Sequence, residues 1–151
     1  MNINEGTGKF LFYLALAITL LIVVNKLFGK SQEETTGLDD LAKLAAKGIY
    51  PTFPDSAYES YANDFDSALD HSFGSQDVDM CKKIIGDMEN EADMIKLNLA
   101  YGNRFHFSIT GMGDYSMRQF VRKQLTGLLG GTGDIDALND ILKSKGITYR
   151  F

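Results

Sequence analysis

The residue types that could carry out chemistry are few and lie far apart in the sequence. His71 and His106 are the two histidines, and neither has a Cys or a second His at the spacing of a metal site. Cys81 is the lone cysteine and shares a helical face with Val78 and Ile85, which predicts a buried, unreactive thiol. No acid/base pair can be recognised. The sequence therefore predicts no catalytic site, no metal and no cofactor.

Two short stretches suggest ligand binding without having the required spacing. Residues 127–134 (GLLGGTGD) suggest a phosphate loop, because backbone amides at a helix start bind anions. The glycine spacing of a nucleotide-binding loop is absent, so we predict a structural turn.

Acidic residues cluster at Asp87, Glu89, Glu91 and Asp93, but the central Gly and final Glu of a calcium loop are missing. We expect a solvated acidic corner there, with cation binding as the alternative.

A continuous apolar run, FLFYLALAITLLIVV, occupies residues 10–24 and contains no charge, glycine or proline. As a helix it would be about 22 Å long, and further apolar residues extend it toward the roughly 30 Å core of a bilayer. We predict a transmembrane anchor within residues 1–30 that contacts lipid across residues 9–30. Its lipid-facing side chains are expected to be Phe10, Leu11, Phe12, Tyr13, Leu14, Leu16, Ile18, Leu20, Leu21, Ile22, Val23 and Val24.

Lysines flank this run on both sides. Lys9 precedes it and Lys26 and Lys30 follow it, at positions from which ammonium groups reach the headgroups. A cleaved export signal is one alternative, but residues 25–29 offer no small-x-small cleavage site. A buried soluble helix is another, but a helix that is apolar on every face needs a larger protein to cover it. The excess of lysine after the run favours the cytoplasmic side for the following domain.

Charge is distributed unevenly over the 151 residues. The whole chain has a net charge of −5, whereas the part beyond residue 30 has 12 basic and 19 acidic residues and a net charge near −7. Such a surface repels the phosphates of nucleic acids and anionic headgroups, which argues against a nucleic-acid partner. The hydrophobic share of 44% is sufficient for a packed core. The length allows one ordinary domain and an appended segment.

Apolar residues after the run recur at intervals of three and four, which is typical of helices. We predict an all-α domain at residues 38–151, a compact bundle of about five to six short helices. A polar linker at residues 31–37 (SQEETTG) joins it to the anchor. The helices are expected at residues 38–47, 55–73, 77–88, 91–101, 114 or 116 to 129, and 134–145.

Two further local patterns lead to predictions. Residues 103–113 (NRFHFSITGMG) alternate in polarity, but they are short and rich in glycine, so we predict a loop. Residues 44–49 and 142–147 share the pattern Leu-x-x-Lys-Gly-Ile. In both, a left-handed glycine would end a helix and the following Ile would fold back onto it.

Exposed aromatic residues are the best candidates for a protein interface. They surround the two prolines at positions 51 and 54, flank His106, and occur again in the terminal segment 147–151. Some should complete the core, and the terminal segment is suited to dock onto a neighbour or onto the 50–53 turn of its own fold. The candidates are Tyr50, Phe53, Phe105, Phe107, Tyr149 and Phe151.

Residues 73–84 (FGSQDVDMCKKI) resemble the turn between the first two helices of an annexin repeat, and the series of short helices from Asp55 to Lys145 is similar. Annexin calcium loops contain Gly-x-Gly-Thr and a distal acidic ligand, whereas residues 71–75 (HSFGS) lack the first Gly. The resemblance implies a helix layout, and calcium-dependent membrane binding is not carried over.

Three motifs stand out in the second half of the sequence: Met88-x-Asn90-x-x-Asp93-x-x-Lys96-Leu97, Ala100-Tyr101-Gly102-x-Arg104 and the closing residues 141–151, ILKSKGITYRF. They resemble those of small helical proteins in phages and mobile elements of flavobacteria and their relatives, and the resemblance covers roughly residues 40–151. The resemblance implies a virion or mobile-element component, such as a membrane-associated protein of a tailless phage with an internal membrane.

The functional expectation combines the anchor with this resemblance. We expect a membrane-anchored structural or interaction protein, a minor virion component that links an internal membrane to the capsid shell through its helical domain. The expected partners are the lipid bilayer and a protein such as a capsid or penton protein. The protein would occupy the host inner membrane before assembly and the internal membrane of the virion afterwards. The alternative is a membrane-tethered enzyme such as a cell-wall hydrolase, with one carboxylate as general acid.

Overall fold

A computed structural model describes residues 32–70, 76–108, 111–126 and 133–151, with side chains from Thr36 onward except at positions 107, 108 and 111. The chain divides into two units, Met1–Thr35 and Thr36–Phe151. The predicted anchor at residues 9–30 lies outside the described residues. Within the described ranges, no helix has the length and apolar character needed to cross a bilayer.

The described residues form a mainly helical fold with one β-hairpin, so the prediction of an all-α domain is right only in part. The helices predicted at residues 55–73 and at 114 or 116 to 129 end four residues earlier, at positions 69 and 125, and the helix predicted at residues 91–101 has the predicted limits. In chain order the elements are α1 (Gln32–Ala45), α2 (Asp55–Leu69), α3 (Val78–Asp87), α4 (Glu91–Tyr101), β1 (Asn103–Ser108), β2 (Gly111–Ser116), α5 (Met117–Leu125) and α6 (Gly133–Ser144).

Helix α2 is central to the fold because it packs against α3, α4 and α5. Its apolar side chains recur at helical spacing and are buried along one face, as the sequence pattern predicted. Helix α6, the last helix of the chain, packs against α3 and α5. The buried face of α2 consists of Tyr58, Ala62, Phe65, Ala68 and Leu69.

Helix α1 begins earlier than predicted. Residues 32–37, predicted as a linker, form its first turns, because Gln and Glu are good helix formers even in a polar segment. Gly37 lies directly against the side chain of Leu99, and a Cβ atom at this position would come within 2.9 Å of Leu99 Cδ2. The close approach explains why a glycine is accommodated inside this helix.

The two predicted helix stops are confirmed. Gly48 has φ +77° and Gly146 has φ +72°, the left-handed conformation that ends a helix with little strain only at glycine. In each case the Ile after the glycine returns its N–H to the Leu of the last turn. These hydrogen bonds join Ile49 to Leu44 and Ile147 to Leu142, each at 3.0 Å.

The loop predicted at residues 103–113 is wrong, because these residues belong to an antiparallel hairpin. Strands β1 and β2 pair over six positions from Asn103 opposite Ser116 to Ser108 opposite Gly111. A two-stranded hairpin is marginal alone and gains stability by packing on a helix. Here β2 contacts α5, which supplies that support and which the local sequence pattern does not reveal.

Candidate functional site

A polar cluster forms where the last turns of α2 meet the hairpin. Asp66 and Asp70 are four residues apart and therefore lie on one face of the chain at the end of α2. Helix α4 contributes Tyr101, its last residue, and β1 contributes Arg104 and His106, which alternate onto the inner face of the hairpin. We call these five residues the Asp66 cluster.

Asp66 is the common acceptor of the cluster. Tyr101 Oη donates to Asp66 Oδ1 at 2.7 Å, and the guanidinium of Arg104 lies 3.2 Å from Asp66 Oδ2. His106 Nε2 lies 3.2 Å from Asp66 Oδ1 and 3.1 Å from Tyr101 Oη. Arg104 also stacks over the ring of Tyr101, 4.6 Å from its centroid, and donates to Asn63. The carboxylate thus connects α2 with both α4 and β1.

Tyr101 remains protonated in this arrangement. Burial raises the pKa of its phenol, and the hydrogen bond to Asp66 raises that pKa further. The phenol therefore donates its proton to Asp66, and its oxygen is free to accept a hydrogen from His106 Nε2. This geometry favours the tautomer of neutral His106 that carries its hydrogen on Nε2.

His106 is held tightly on its other sides. Its side chain is only 2% exposed, and its ring stacks on Phe120 with a centroid separation of 3.6 Å and an interplanar angle of 12°. Nδ1 is buried and has no hydrogen-bond partner among the described residues. Asp70 Oδ2 lies 3.7 Å from Nδ1, beyond hydrogen-bonding distance. The cluster therefore holds the imidazole of His106 in a fixed orientation.

Sequence reasoning missed this cluster. His106 was recognised, but its neighbours are brought to it by the hairpin, which was predicted as a loop. Two features of the sequence could have revealed it. Arg104 and His106 occupy alternate positions, as residues on one face of a strand do, and two carboxylates lie four residues apart at positions 66 and 70. In the described ranges, no group of three or more His, Cys, Asp or Glu side chains is placed to hold a metal ion.

A second polar cluster surrounds Asp93, which is fully buried. Its carboxylate accepts the backbone N–H of Thr52 at 2.7 Å, the hydroxyl of Thr52 at 2.9 Å and the backbone N–H of Glu89 at 2.9 Å. It also accepts the hydroxyl of Tyr58 and completes a capping box with Asn90 at the start of α4. These contacts join the turn before α2 to the start of α4.

The ionisation of Asp93 is determined by these donors. Burial by itself would raise the pKa of the carboxyl, but the hydrogen bonds from Tyr58, Thr52 and Glu89 outweigh burial and lower it. Burial and the same carboxylate raise the pKa of Tyr58 to about 12. Asp93 is thus a buried, fully hydrogen-bonded anion at neutral pH.

The prediction of a solvated acidic corner is therefore wrong for one of its four residues, Asp93. Glu89 is exposed, as predicted, and Asp87 and Glu91 are partly exposed, but Asp93 is in the interior. The physical reason is that donors from residues 52 and 58 compensate the desolvation of its charge. Proximity in sequence had placed it with its solvated neighbours.

The outer face of the hairpin carries exposed apolar side chains. Phe105 is 65% exposed and Met112 is 66% exposed. The register pairs Phe105 with Asp114 and Met112 with residue 107, so positions 105 and 112 lie on the same face. The opposite face carries His106 and packs inward. We call Phe105 and Met112 the hairpin patch.

The six predicted interface residues differ in their environments. Tyr50 is 60% exposed, whereas the ring of Phe53 packs edge-on against Tyr58 and Tyr61. Phe105 belongs to the hairpin patch, and the side chain of Phe107 lies outside the described part of the structure. Tyr149 and Phe151 belong to the terminal segment, which packs onto the domain itself.

The terminal segment docks onto its own fold, at a place other than the 50–53 turn. Phe151 is 4% exposed and stacks on Phe65 of α2, with ring centroids 6.0 Å apart. Its N–H donates to Asn139 and its backbone oxygen accepts from Arg122. Tyr149 donates to Asn98. Phe151 is thus part of the core rather than of an exposed surface.

The remaining sequence candidates have simple outcomes. Cys81 is buried, as predicted, and burial raises the pKa of its thiol to about 12. His71 and residues 127–132 lie outside the described residues. Comparison of the chain with protein-family models, curated proteins and solved structures finds no significant match.

Proposed function

We propose that this protein acts by position: residues 9–30 anchor it in a bilayer, and its helical domain binds a protein partner at that membrane. The observation that carries the binding role is the hairpin patch, where Phe105 and Met112 are both about two-thirds exposed. Large apolar side chains grouped on one face of a folded domain are typical of protein interaction sites. The fifteen-residue apolar run with its flanking lysines supports the anchor.

The sequence resemblance gives this proposal a specific setting. In a tailless phage with an internal membrane, the domain would be a minor virion component that links the membrane to a capsid or penton protein. The excess of acidic residues in the domain favours the shell side over the genome side, because nucleic-acid phosphates would be repelled. Before assembly the protein would lie in the host inner membrane.

The test is site-specific photo-crosslinking of the full chain in the membranes or particles that contain it. A photoreactive residue is placed at position 105 or at position 112, and position 80 is the matched control because Met80 is an exposed methionine on α3. We expect positions 105 and 112 to capture the same protein and position 80 to capture none. A shell protein as that adduct would support the virion setting. Equal labelling from all three positions, or none from 105 and 112, would contradict the proposed contact.

A membrane-tethered hydrolase is the second candidate, and one observation favours it. Asp66 is partly exposed and lies within hydrogen-bonding distance of Tyr101 and close to His106, an arrangement that could support acid/base chemistry. Assays for release of cell-wall fragments by the full chain and by its Asp66→Asn and Asp70→Asn variants distinguish the two functions. If the full chain releases cell-wall fragments and one folded variant does not, the protein is a hydrolase and the proposed contact function is wrong.

A further inference from the structure

Strand β1 is paired with β2 along one edge, and in the described part of the chain no strand pairs with its other edge. The hydrogen bonds of the hairpin indicate which backbone groups face this open edge. The N–H of Ser116, which lies opposite Asn103, donates to the side chain of Gln119 and is therefore not directed at β1. Because such pairs alternate in an antiparallel hairpin, the N–H and C=O of Phe105, two positions further on, also point away from β2.

The open edge of β1 lacks the features that usually prevent pairing with another chain. Edge strands are commonly protected by a charged side chain, a proline or a bulge. Strand β1 contains no proline, and its register with β2 is unbroken over six residues. Its charged residue, Arg104, is directed inward to Asp66, whereas Asn103 and Phe105 are exposed and uncharged. The edge therefore presents backbone donors and acceptors beside an exposed aromatic ring.

The outer edge of β2 is less suited to pairing. Its N–H at Ser116 is already bound by Gln119, and α5 packs against this strand. The exposed carboxylate of Asp114 lies at the middle of the strand. A charged side chain on an edge strand opposes the approach of another strand. A third strand is therefore better accommodated at β1.

The charges beside the centre of β1 are acidic. Asp114 lies opposite Phe105 on the outer face, and Asp70 lies 3.7 Å from the ring of His106 on the inner face. Among the residues that the structure describes, neither carboxylate forms a salt bridge with a Lys or Arg side chain. The chain beyond residue 30 has a net charge near −7. Electrostatic complementarity therefore favours a basic segment over a second copy of this acidic domain.

We propose that the open edge of β1 takes up an extended, basic segment of the protein partner as a third strand. Strand addition of this kind obtains affinity from main-chain hydrogen bonds and specificity from alternate side chains. One set of alternate side chains would lie beside Phe105 on the outer face, where an apolar residue is favoured. The other set would lie on the side of Asp70, where Lys or Arg is favoured. That the segment belongs to the partner rests on the proposed function, whereas strand addition at β1 does not.

A short fluorescent peptide of alternating valine and lysine is the probe, and it is added to the full chain in a nonionic detergent. We expect saturable binding, measured as an increase in fluorescence anisotropy. Phe105→Pro and Met112→Pro are a matched pair, because each removes one side chain of the hairpin patch and one outward N–H, but from opposite edges. Phe105→Pro should weaken binding at least about tenfold, since it removes a hydrogen bond to the added strand, and Met112→Pro less than about threefold.

Amide exchange in the unmodified chain gives a second readout that does not depend on the folding of a variant. The N–H of Phe105 faces the open edge, so saturation with the peptide should slow its exchange at least about tenfold. The N–H of Met112, on the opposite edge, should keep its rate. A peptide of alternating valine and glutamate should bind at least about tenfold more weakly than the lysine peptide, because it meets the acidic side chains.

Three results would overturn the proposal. No binding of the lysine peptide, or equal losses in the two proline variants, would exclude strand addition at β1, as would unchanged exchange at Phe105. Equal affinity for the two peptides would exclude a basic segment. Photo-crosslinking from positions 105 and 112 is unaffected by these results, because the side chains of the hairpin patch can contact a partner without an added strand. Strand addition and the proposed function therefore fail separately.

Discussion

The hydroxyl of Tyr58 donates a hydrogen bond to the buried carboxylate of Asp93, which lies 35 residues later in the chain. The same carboxylate accepts the backbone N–H groups of Thr52 and Glu89. One acceptor thus joins α2, the turn that precedes it and the start of α4. The carboxylate of Asp93 is fully removed from solvent.

Replacement of this carboxylate should be costly. We expect Asp93→Asn to lower the free energy of unfolding by about 3 kcal/mol, because an amide cannot accept all of the donors and places its own NH₂ group among them. Chemical denaturation of the full chain, followed by circular dichroism, measures the change. Glu89→Gln is the matched control: it alters an exposed neighbouring acid and should change stability by less than about 0.5 kcal/mol. Equal losses in both variants would contradict the role of Asp93.

The same carboxylate should make stability depend on pH at the acidic end. Its pKa is lower in the folded protein than in the unfolded chain, so its stabilisation is present above the unfolded pKa and is lost as the pH falls through the folded one. We expect the free energy of unfolding to decrease below about pH 4, and to decrease less steeply with falling pH in Asp93→Asn. Urea midpoints at a series of pH values provide the measurement. Parallel slopes in the two proteins would show that Asp93 does not contribute.

The two helix stops provide a matched pair of substitutions. Ile147 and Ile49 occupy the same place in the same motif, but Ile147 is 1% exposed and Ile49 is 36% exposed. We expect Ile147→Ala to cost about 3 kcal/mol, because it leaves a cavity in the core, and Ile49→Ala to cost less than about 1 kcal/mol. Thermal unfolding of both variants tests the difference. Similar midpoints would mean that the terminal segment is not anchored in the core as described.

Cys81 should resist thiol reagents in the folded protein. Its pKa of about 12 and its complete burial both disfavour the reactive thiolate. We expect modification by a chromogenic disulfide near pH 8 to be at least about a hundredfold slower in buffer than in denaturant. The chain has no second cysteine to obscure the signal. Comparable rates in the two conditions would refute the burial of this thiol.

Local patterns in the sequence predicted much of the helical framework. The periodic apolar residues of α2 identified its buried face, and the limits of α4 were predicted at Glu91 and Tyr101. The stops at Gly48 and Gly146 were predictable because the required left-handed conformation is a local property of the chain. These features depend on residues a few positions apart.

The parts that were missed depend on distant partners. Asp93 was assigned to a solvated acidic run because its donors at Thr52 and Tyr58 lie 41 and 35 residues away. The hairpin was assigned to a loop because its inner face is stabilised by α5, where Phe120 stacks on His106. Once the hairpin is missed, the Asp66 cluster cannot be assembled from sequence.

Sedimentation after alkaline carbonate washing of membranes is the most direct test of action by position. The full chain, expressed into membranes, should remain in the pellet, because residues 9–30 are held by the hydrocarbon core. A variant with Ile18→Lys and Leu21→Lys should move to the supernatant, since two charges inside the bilayer are costly. Release of the unmodified chain into the supernatant would contradict membrane anchoring and, with it, the proposed function.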